Sequence, residues 1–137
     1  MEKQDTYRRG RQCVSDLKAH LVFVTKYRRG VLTGEHLERM RYIFNEVCHK
    51  LEARLIEFNG EDDHVHLLVE YPPKLAVSTL VNSLKGVSSR KLRAEFFIKT
   101  HKEHLWSPSY FVVSCGGAPI EKLQEYIKQQ QAPSTPA

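Results

Sequence analysis

Cysteine is scarce in this 137-residue sequence: Cys13, Cys48 and Cys115 are the only three, and none of them forms a CxxC pair. An odd count with wide spacing argues against a secreted disulfide scaffold and against a thiolate zinc site. Long apolar runs are missing too, so nothing approaches the roughly 20 residues that a membrane-spanning helix needs. The opening stretch "MEKQDTYRRGRQCVSDLK" has no hydrophobic signal-peptide core, which makes a cytoplasmic location the expectation. No GxxxxGK[ST] occurs, so a phosphate-cradling P-loop is excluded. There is no internal repeat. The one biased segment is the tail "QQQAPSTPA", small, polar and Pro-rich, which is expected to fray over residues 132–137.

What is present describes one ordinary domain, residues 1–137, with 41% hydrophobic and 27% charged residues. The formal net charge is +5. Its basic residues cluster at Arg8, Arg9 and Arg11, at Lys26, Arg28 and Arg29, and at Lys85, Arg90, Lys91 and Arg93. A solvated face that keeps the protein soluble is the alternative reading of each cluster, and three on a small domain favour a nucleic-acid partner.

Hydrophobic periodicity divides the chain into alternating elements. "KAHLVFVTKYR" (Lys18 to Arg28) reads as a strand whose apolar core gives way to basic residues. A helix starts at Thr33 or Gly34 and carries Leu37, Met40, Ile43 or Phe44, Val47 and Leu51 at helical spacing. "ARLIEFNG" reads as a strand and turn, and a further strand stops at Pro72-Pro73. "AVSTLVNSLKGVSSRKLRAEFF" is a second long helix, weakened by Gly86 by about 1 kcal/mol relative to Ala. "SYFVVSC" is a fourth strand, Gly116-Gly117 breaks it, and Pro119 opens a last helix, "PIEKLQEYIKQQQ". The order is β-α-β-β-α-β plus a helix, an α+β chain of ferredoxin-like or RRM-like topology. Two helices should cover one face of a four-stranded antiparallel sheet and leave the other open.

The stretch "EDDHVHLLVEYPP" concentrates the chemistry. Strand alternation puts Val65, Leu67, Val69 and Tyr71 on one face, and His64, His66, Leu68 and Glu70 on the other. Two imidazoles at i and i+2 stand roughly 6–7 Å apart at the Cα atoms, close enough to share a metal ion. A bare HxH is also compatible with two half-exposed polar residues. On the last helix Tyr126 and Gln130 share a face one turn apart, while Ile120, Leu123 and Ile127 form an apolar edge that needs something to dock on. Of the acidic pair, Asp62 rather than Asp63 is the expected partner for a histidine ring, because Asp63 should point to the opposite face. A plain turn role is the simpler expectation for both. His101 and His104, in the loop before Trp106, read as surface residues.

Together "HVH" and "YIKQQ" resemble the histidine pair and the Y-I-x-x-Q helix of the single-tyrosine HUH transposases, the TnpA group of small bacterial and archaeal insertion sequences. "YRRGRQCVSDLKAHLVFVTKYRR", "DDHVHLLVEYPPK", "LVNSLKGVSSRKLRAEF" and "LWSPSYFVVS" followed by the glycine pair resemble that family in the same order, from about Tyr7 to Gln130. The resemblance implies that His64, His66 and Gln130 bind a divalent metal, Mg2+ with Mn2+ able to substitute. It implies that Tyr126 is a nucleophile that cuts single-stranded DNA, leaving a 5′-phosphotyrosine link and a free 3′-OH, and that rejoining reverses the step. Its DNA carries subterminal hairpins, and its homodimer allows the tyrosine helix to complete the partner's site. Gln129, Gln130 and Gln131 are consecutive here. Spacing from Tyr126 favours Gln130, since Gln131 lies about 100° further round the helix. Arg11, Lys26, Arg28, Lys85, Arg90 and Arg93 are the expected DNA contacts.

The chemistry suits these residues. A phenol with a pKa near 10 is a weak nucleophile at neutral pH and needs a metal to draw charge from the phosphate. Two imidazoles and an amide are neutral, so they leave the ion's charge available. Three alternatives stay open: a domesticated relative that still cuts hairpin DNA, a metal-dependent hydrolase using water, and a non-catalytic nucleic-acid-binding module. The last normally places stacking aromatics where His64 and His66 stand here.

Overall fold

The computed structural model describes residues 7–98, 100, 104–115 and 120–129. A short hairpin, β1 (Arg8–Arg9) and β2 (Val14–Ser15), precedes the main sheet. The main elements follow as β3 (Lys18–Val24), α1 (Gly34–Lys50), β4 (Arg54–Gly60), β5 (His64–Glu70), α2 (Val77–Phe96), β6 (Phe111–Ser114) and α3 (Ile120–Gln129). The sheet runs β4-β5-β3-β6 and every neighbouring pair is antiparallel. This is the ferredoxin-like arrangement, with β3 and β5 central.

Alternation sets the core. Ala19, Leu21 and Phe23 of β3 and Val65, Leu67 and Val69 of β5 face α1 and α2. Helix α1 contributes Met40, Ile43, Phe44, Val47 and Cys48, and α2 contributes Leu80, Val81, Leu84 and Leu92. Phe44 meets Phe23 and Phe58 edge-on, with ring centroids 6.0 and 5.6 Å apart. Ser88 lies fully buried on the apolar side of α2 and is satisfied there: it accepts from Trp106 Nε1 at 3.0 Å and donates to the Lys85 carbonyl at 3.1 Å. Thr33 caps α1 reciprocally with His36, whose ring replaces the usual Glu or Gln of a capping box.

Three expectations need correction. The first strand ends at Val24, not Arg28: Thr25 Oγ1 donates to the Arg29 carbonyl at 2.7 Å, and the chain turns through left-handed Tyr27 (φ 58°) and Arg28 (φ 52°). The last strand keeps only four of its seven expected residues. The sheet face opposite α1 and α2 is not open. Helix α3 crosses β5 and β4, and the hairpin end covers Glu70, which Arg8 grips with two 2.7 Å hydrogen bonds. Gly116, Gly117, Pro119 and the 132–137 tail lie outside the described residues, and the expected apolar edge of α3 lies outside the described side chains.

Candidate active site and nucleic-acid surface

His64 and His66 project from β5 on the face away from the core, as alternation requires, yet they are only 4% and 2% exposed. Their rings stand at 83° with centroids 5.0 Å apart. The turn that launches β5 is compact: a Cβ on Gly60 would come within 2.7 Å of Leu37 and 2.9 Å of Val65, so any larger residue would force those side chains to shift.

Each ring has one nitrogen already engaged. His64 Nδ1 lies 2.7 Å from Asp63 Oδ1, and Asp63 Oδ2 lies 3.5 Å from Arg28 Nε. Burial pushes the Asp63 carboxyl up, but the hydrogen bond and charge of His64, joined by Arg28, outweigh this and leave it below its usual range. Asp63 is therefore an acceptor and holds a His64 proton on Nδ1. The expectation for Asp62 is overturned. Residues 61–63 form a turn instead of extending the strand, so alternation does not govern Asp63. The Asp62 carboxylate points to Gly30, where a Cβ would lie 2.6 Å from Oδ2.

His66 Nδ1 lies 3.1 Å from Nε2 of His20, a β3 residue that carried no expected role. The two rings are stacked, 5.3 Å apart at 22°. Burial, then the neighbouring His64 and His20, pushes His66 down to about 4, and burial lowers His20 as well, so both are neutral at pH 7. His66 Nε2 is buried without a hydrogen-bond partner. In the tautomer whose Nδ1–H donates to His20, this atom carries a lone pair. The Nε2 atoms of His64 and His66 are the donor set expected for a borderline divalent cation.

Acidic groups lie close by. Glu61, Asp63 and His64 bring ligand atoms within 4.8 Å of one another, and Glu61 Oε2 is 3.9 Å from His64 Nε2. Because Asp63 is committed to His64 and Arg28, Glu61 is the acid better placed to join a cation at His64 Nε2. Tyr126, 52% exposed on α3, sets its ring edge-on to His20 at 5.7 Å. Phe111 meets the same imidazole at 6.1 Å. The structure therefore brings His64, His66 and Tyr126 to one face and adds His20. Gln130 and Gln131 lie outside the described residues, as does His101.

The basic residues divide into two groups. Lys85, Arg90 and Arg93 line a cleft of about 400 Å³ between α2 and residues 104–108, together with His104. Among the described residues, no carboxylate lines it. Half-buried Lys85 donates to the carbonyls of Ser107 (2.6 Å) and Ser109 (3.4 Å), and burial lowers its pKa. Arg93 Nε donates to Ser89 Oγ at 3.1 Å, while Arg90 is exposed. Lys26 and Arg28 belong to the turn after β3, and exposed Arg11 to the β1–β2 connection. The turn and the cleft adjoin, since Lys26 N donates to the Leu105 carbonyl at 2.9 Å and Thr25 bridges Trp106. No helix among the described residues is long and apolar enough to cross a membrane.

Comparison with known proteins identifies the family. Residues 13–130 match the family described as "Transposase IS200 like". The transposase for insertion sequence element IS200 of Salmonella typhimurium is 36% identical over 116 residues, covering 82% of this chain and 76% of that protein. The ISDra2 transposase TnpA of Deinococcus radiodurans is 31% identical over 126 residues, 90% of each chain. A crystal structure of a candidate transposase from Deinococcus radiodurans R1 superposes with a TM-score of 0.72 at 30% identity, covering 92% of this chain and 99% of that one. A REP-associated tyrosine transposase bound to a REP hairpin shares the fold, with a TM-score of 0.61 at 12% identity over 93% of this chain and 68% of that one. By the family match and by these relatives, the chain belongs to the IS200-like transposase family.

Proposed function

We propose that this transposase cleaves and rejoins single-stranded DNA at hairpin-bearing insertion-sequence ends, with Tyr126 as the nucleophile and His64 and His66 as ligands of a divalent metal. The observation that carries the proposal is the grouping on one sheet face of a tyrosine, a histidine it touches, and two further imidazoles whose Nδ1 atoms are held by neighbours. Gln130 is proposed as the third protein ligand. Mg2+ is the proposed ion, with Mn2+ as substitute. When bound, the ion withdraws charge from the phosphate under attack.

The Tyr126 hydroxyl gives up its proton as its oxygen attacks phosphorus, the P–O3′ bond breaks, and the 3′ oxygen leaves and takes up a proton as the 3′-OH. The DNA is then held through a 5′-phosphotyrosine ester. Attack by another 3′-OH reverses this and frees the tyrosine, so the energy of the cleaved bond is stored rather than lost to water. The exposure of Tyr126 allows DNA to approach it, and the dry floor formed by His20 and His66 favours the ester over hydrolysis.

A strand held in the Lys85–Arg90–Arg93 cleft reaches the histidine face around the end of β3, past Lys26 and Arg28. Arg11 is the proposed contact at the hairpin end of the sheet. The tyrosine transposase of the same fold that binds a REP hairpin supports hairpin DNA as the partner class. A homodimer is proposed through β6, an edge strand with Phe111, Val112 and Val113 exposed, which is the kind of unpaired apolar edge that a second copy can extend. The proposed location is cytoplasmic.

The test is a denaturing gel of labelled single-stranded DNA from the ends flanking the gene, incubated with Mg2+ or Mn2+. A protein-sized labelled band that requires both Tyr126 and metal supports the proposal. Cleavage that survives Tyr126→Phe would indicate a water-using nuclease instead.

A further inference from the structure

We infer that Asn59 is a further catalytic residue of this site, its side-chain Nδ2 donating a hydrogen bond to an oxygen of the DNA phosphate seated at the histidine pair. The inference rests on the proposed function and extends it to a residue on a third strand.

In the β4–β5 ladder Asn59 stands directly opposite His66, and the neighbouring pair is Phe58 opposite Leu67. Phe58 and Leu67 both face the core. Asn59 and His66 therefore share the other face, with Cα atoms about 4.5–5.5 Å apart. The bulge between Leu55 and Glu57 sets this phase: one extra residue there shifts the strand by a face, and Asn59 would otherwise be out of step with the helix-facing pattern of Leu55.

Among the described residues, two buried side-chain atoms lack a hydrogen-bond partner: Asn59 Nδ2 and His66 Nε2. Buried polar atoms are nearly always paired, and an orphan marks a water, an ion or a functional contact. Here both orphans fall on one cross-strand pair, beneath a helix that crosses β4 and β5. Their chemistry is complementary. The amide nitrogen is a donor, while His66 Nε2, in the tautomer whose Nδ1–H donates to His20, is an electron-pair donor. An occupant must therefore present an acceptor to Asn59 and an electrophile to His66. A cation-bound phosphate oxygen does both at once, and its negative charge grows as the tyrosine attacks. A neutral donor at that position strengthens its hydrogen bond as the charge develops, without adding a charge that would compete with the metal.

A single trapped water that accepts from Asn59 and donates to His66 is the competing occupant, and it predicts different behaviour. The full-length chain is compared with Asn59→Leu and Asn59→Asp in three measurements: thermal midpoint without metal or DNA, Mn2+ affinity without DNA, and single-turnover formation of the covalent DNA product. Leucine removes an unpaired polar group at similar volume, so the midpoint should hold or rise and Mn2+ affinity should hold. Product formation should fall about 100-fold or more, the usual cost of losing one such donor. Aspartate keeps the shape but offers only acceptors and a negative charge, so it should lose product formation as well. Product formed at the wild-type rate by either variant overturns the inference, as does a lower midpoint for leucine with product lost only in proportion to the unfolded fraction. A wild-type chain that forms no Tyr126-dependent product overturns the proposed function and this inference together. Failure confined to the variants, with product restored to neither and metal affinity lost in both, overturns the inference alone.

Discussion

Nε2 of His20 lies 3.1 Å from Nδ1 of His66, and the same imidazole meets the edge of the Tyr126 ring at 5.7 Å. One β3 side chain thus touches both the proposed metal ligand and the proposed nucleophile. Replacing His20 with Ala leaves His66 free to rotate and to carry its proton on either nitrogen. Loss of such an outer partner costs about 10–100-fold in metal affinity. Calorimetric titration with Mn2+ should show that loss in His20→Ala, with partial recovery in His20→Gln, whose amide oxygen can accept the Nδ1 proton. Unchanged Mn2+ affinity in the alanine variant would show that His20 is only packing.

The two adjacent aspartates should separate cleanly. Asp63→Ala removes the acceptor that holds His64 at 2.7 Å and frees Arg28 from its 3.5 Å ion pair. Mn2+ affinity should drop by about 10–100-fold, and covalent product with it. Asp62→Ala should leave both unchanged, because the Asp62 contribution to the loop is its carbonyl, which accepts from Leu32 N at 3.0 Å. Equal effects in the two variants would refute the assignment.

The contrast between these aspartates marks where sequence stops being informative. Period-2 alternation along residues 64–70 correctly separated Val65, Leu67 and Val69 from His64 and His66, because that pattern is local to one strand. It failed one residue earlier, at Asp63, where the backbone leaves the strand and alternation has no meaning. His20 was illegible for another reason. β3 is buried on both faces, so "KAHLVFV" reads as a nearly continuous apolar run and does not announce a functional face. Its contact with His66 spans 46 positions and depends on the β3–β5 register, which no single-strand pattern encodes. The helices and strand order were legible because their periodicity is long and their breaks carry Pro, Gly or a cap such as Thr33.

The Arg8–Glu70 pair should anchor the terminal hairpin to the sheet. The Glu70 side chain is only 6% exposed and lies opposite Lys18 in the ladder, while Lys18 itself pairs with Asp16. Arg8→Ala strips the carboxylate of its bidentate partner and should destabilise the chain by about 2–3 kcal/mol, read from urea melts. Arg8→Met with Glu70→Leu should recover most of this, because the charge is removed along with its partner. A double variant no better than Arg8→Ala would mean that the hairpin itself, rather than the buried charge, carries the loss.

The three thiols should react in a fixed order. Cys48 is fully buried in the α1 face of the core, and burial pushes its pKa to about 12, so almost no thiolate forms in the folded chain. Cys13 is exposed and Cys115 is half-buried, with burial raising its pKa. Disulfide-exchange reagents at pH 8 should modify Cys13 first and Cys115 more slowly, with Cys48 appearing only at the rate of global unfolding. Native-state labelling of Cys48 at the rate of Cys13 would contradict the packing around α1.

Oligomer and catalysis can be tested separately. If β6 pairs with a second β6, Val112→Lys puts a charge on an otherwise apolar edge and should shift the chain from dimer to monomer in sedimentation equilibrium. A wild-type chain that is monomeric at tens of micromolar would refute the dimer. Tyr126 meets His20 of its own chain at 5.7 Å, an arrangement that would assemble the proposed site in cis. Mixing Tyr126→Phe with His66→Ala protomers should then give no covalent product, since each site retains one dead component. Product restored by mixing would show that α3 crosses to serve the partner. The 5.7 Å contact would then be the arrangement before exchange, and His20 would hold the tyrosine until DNA arrives.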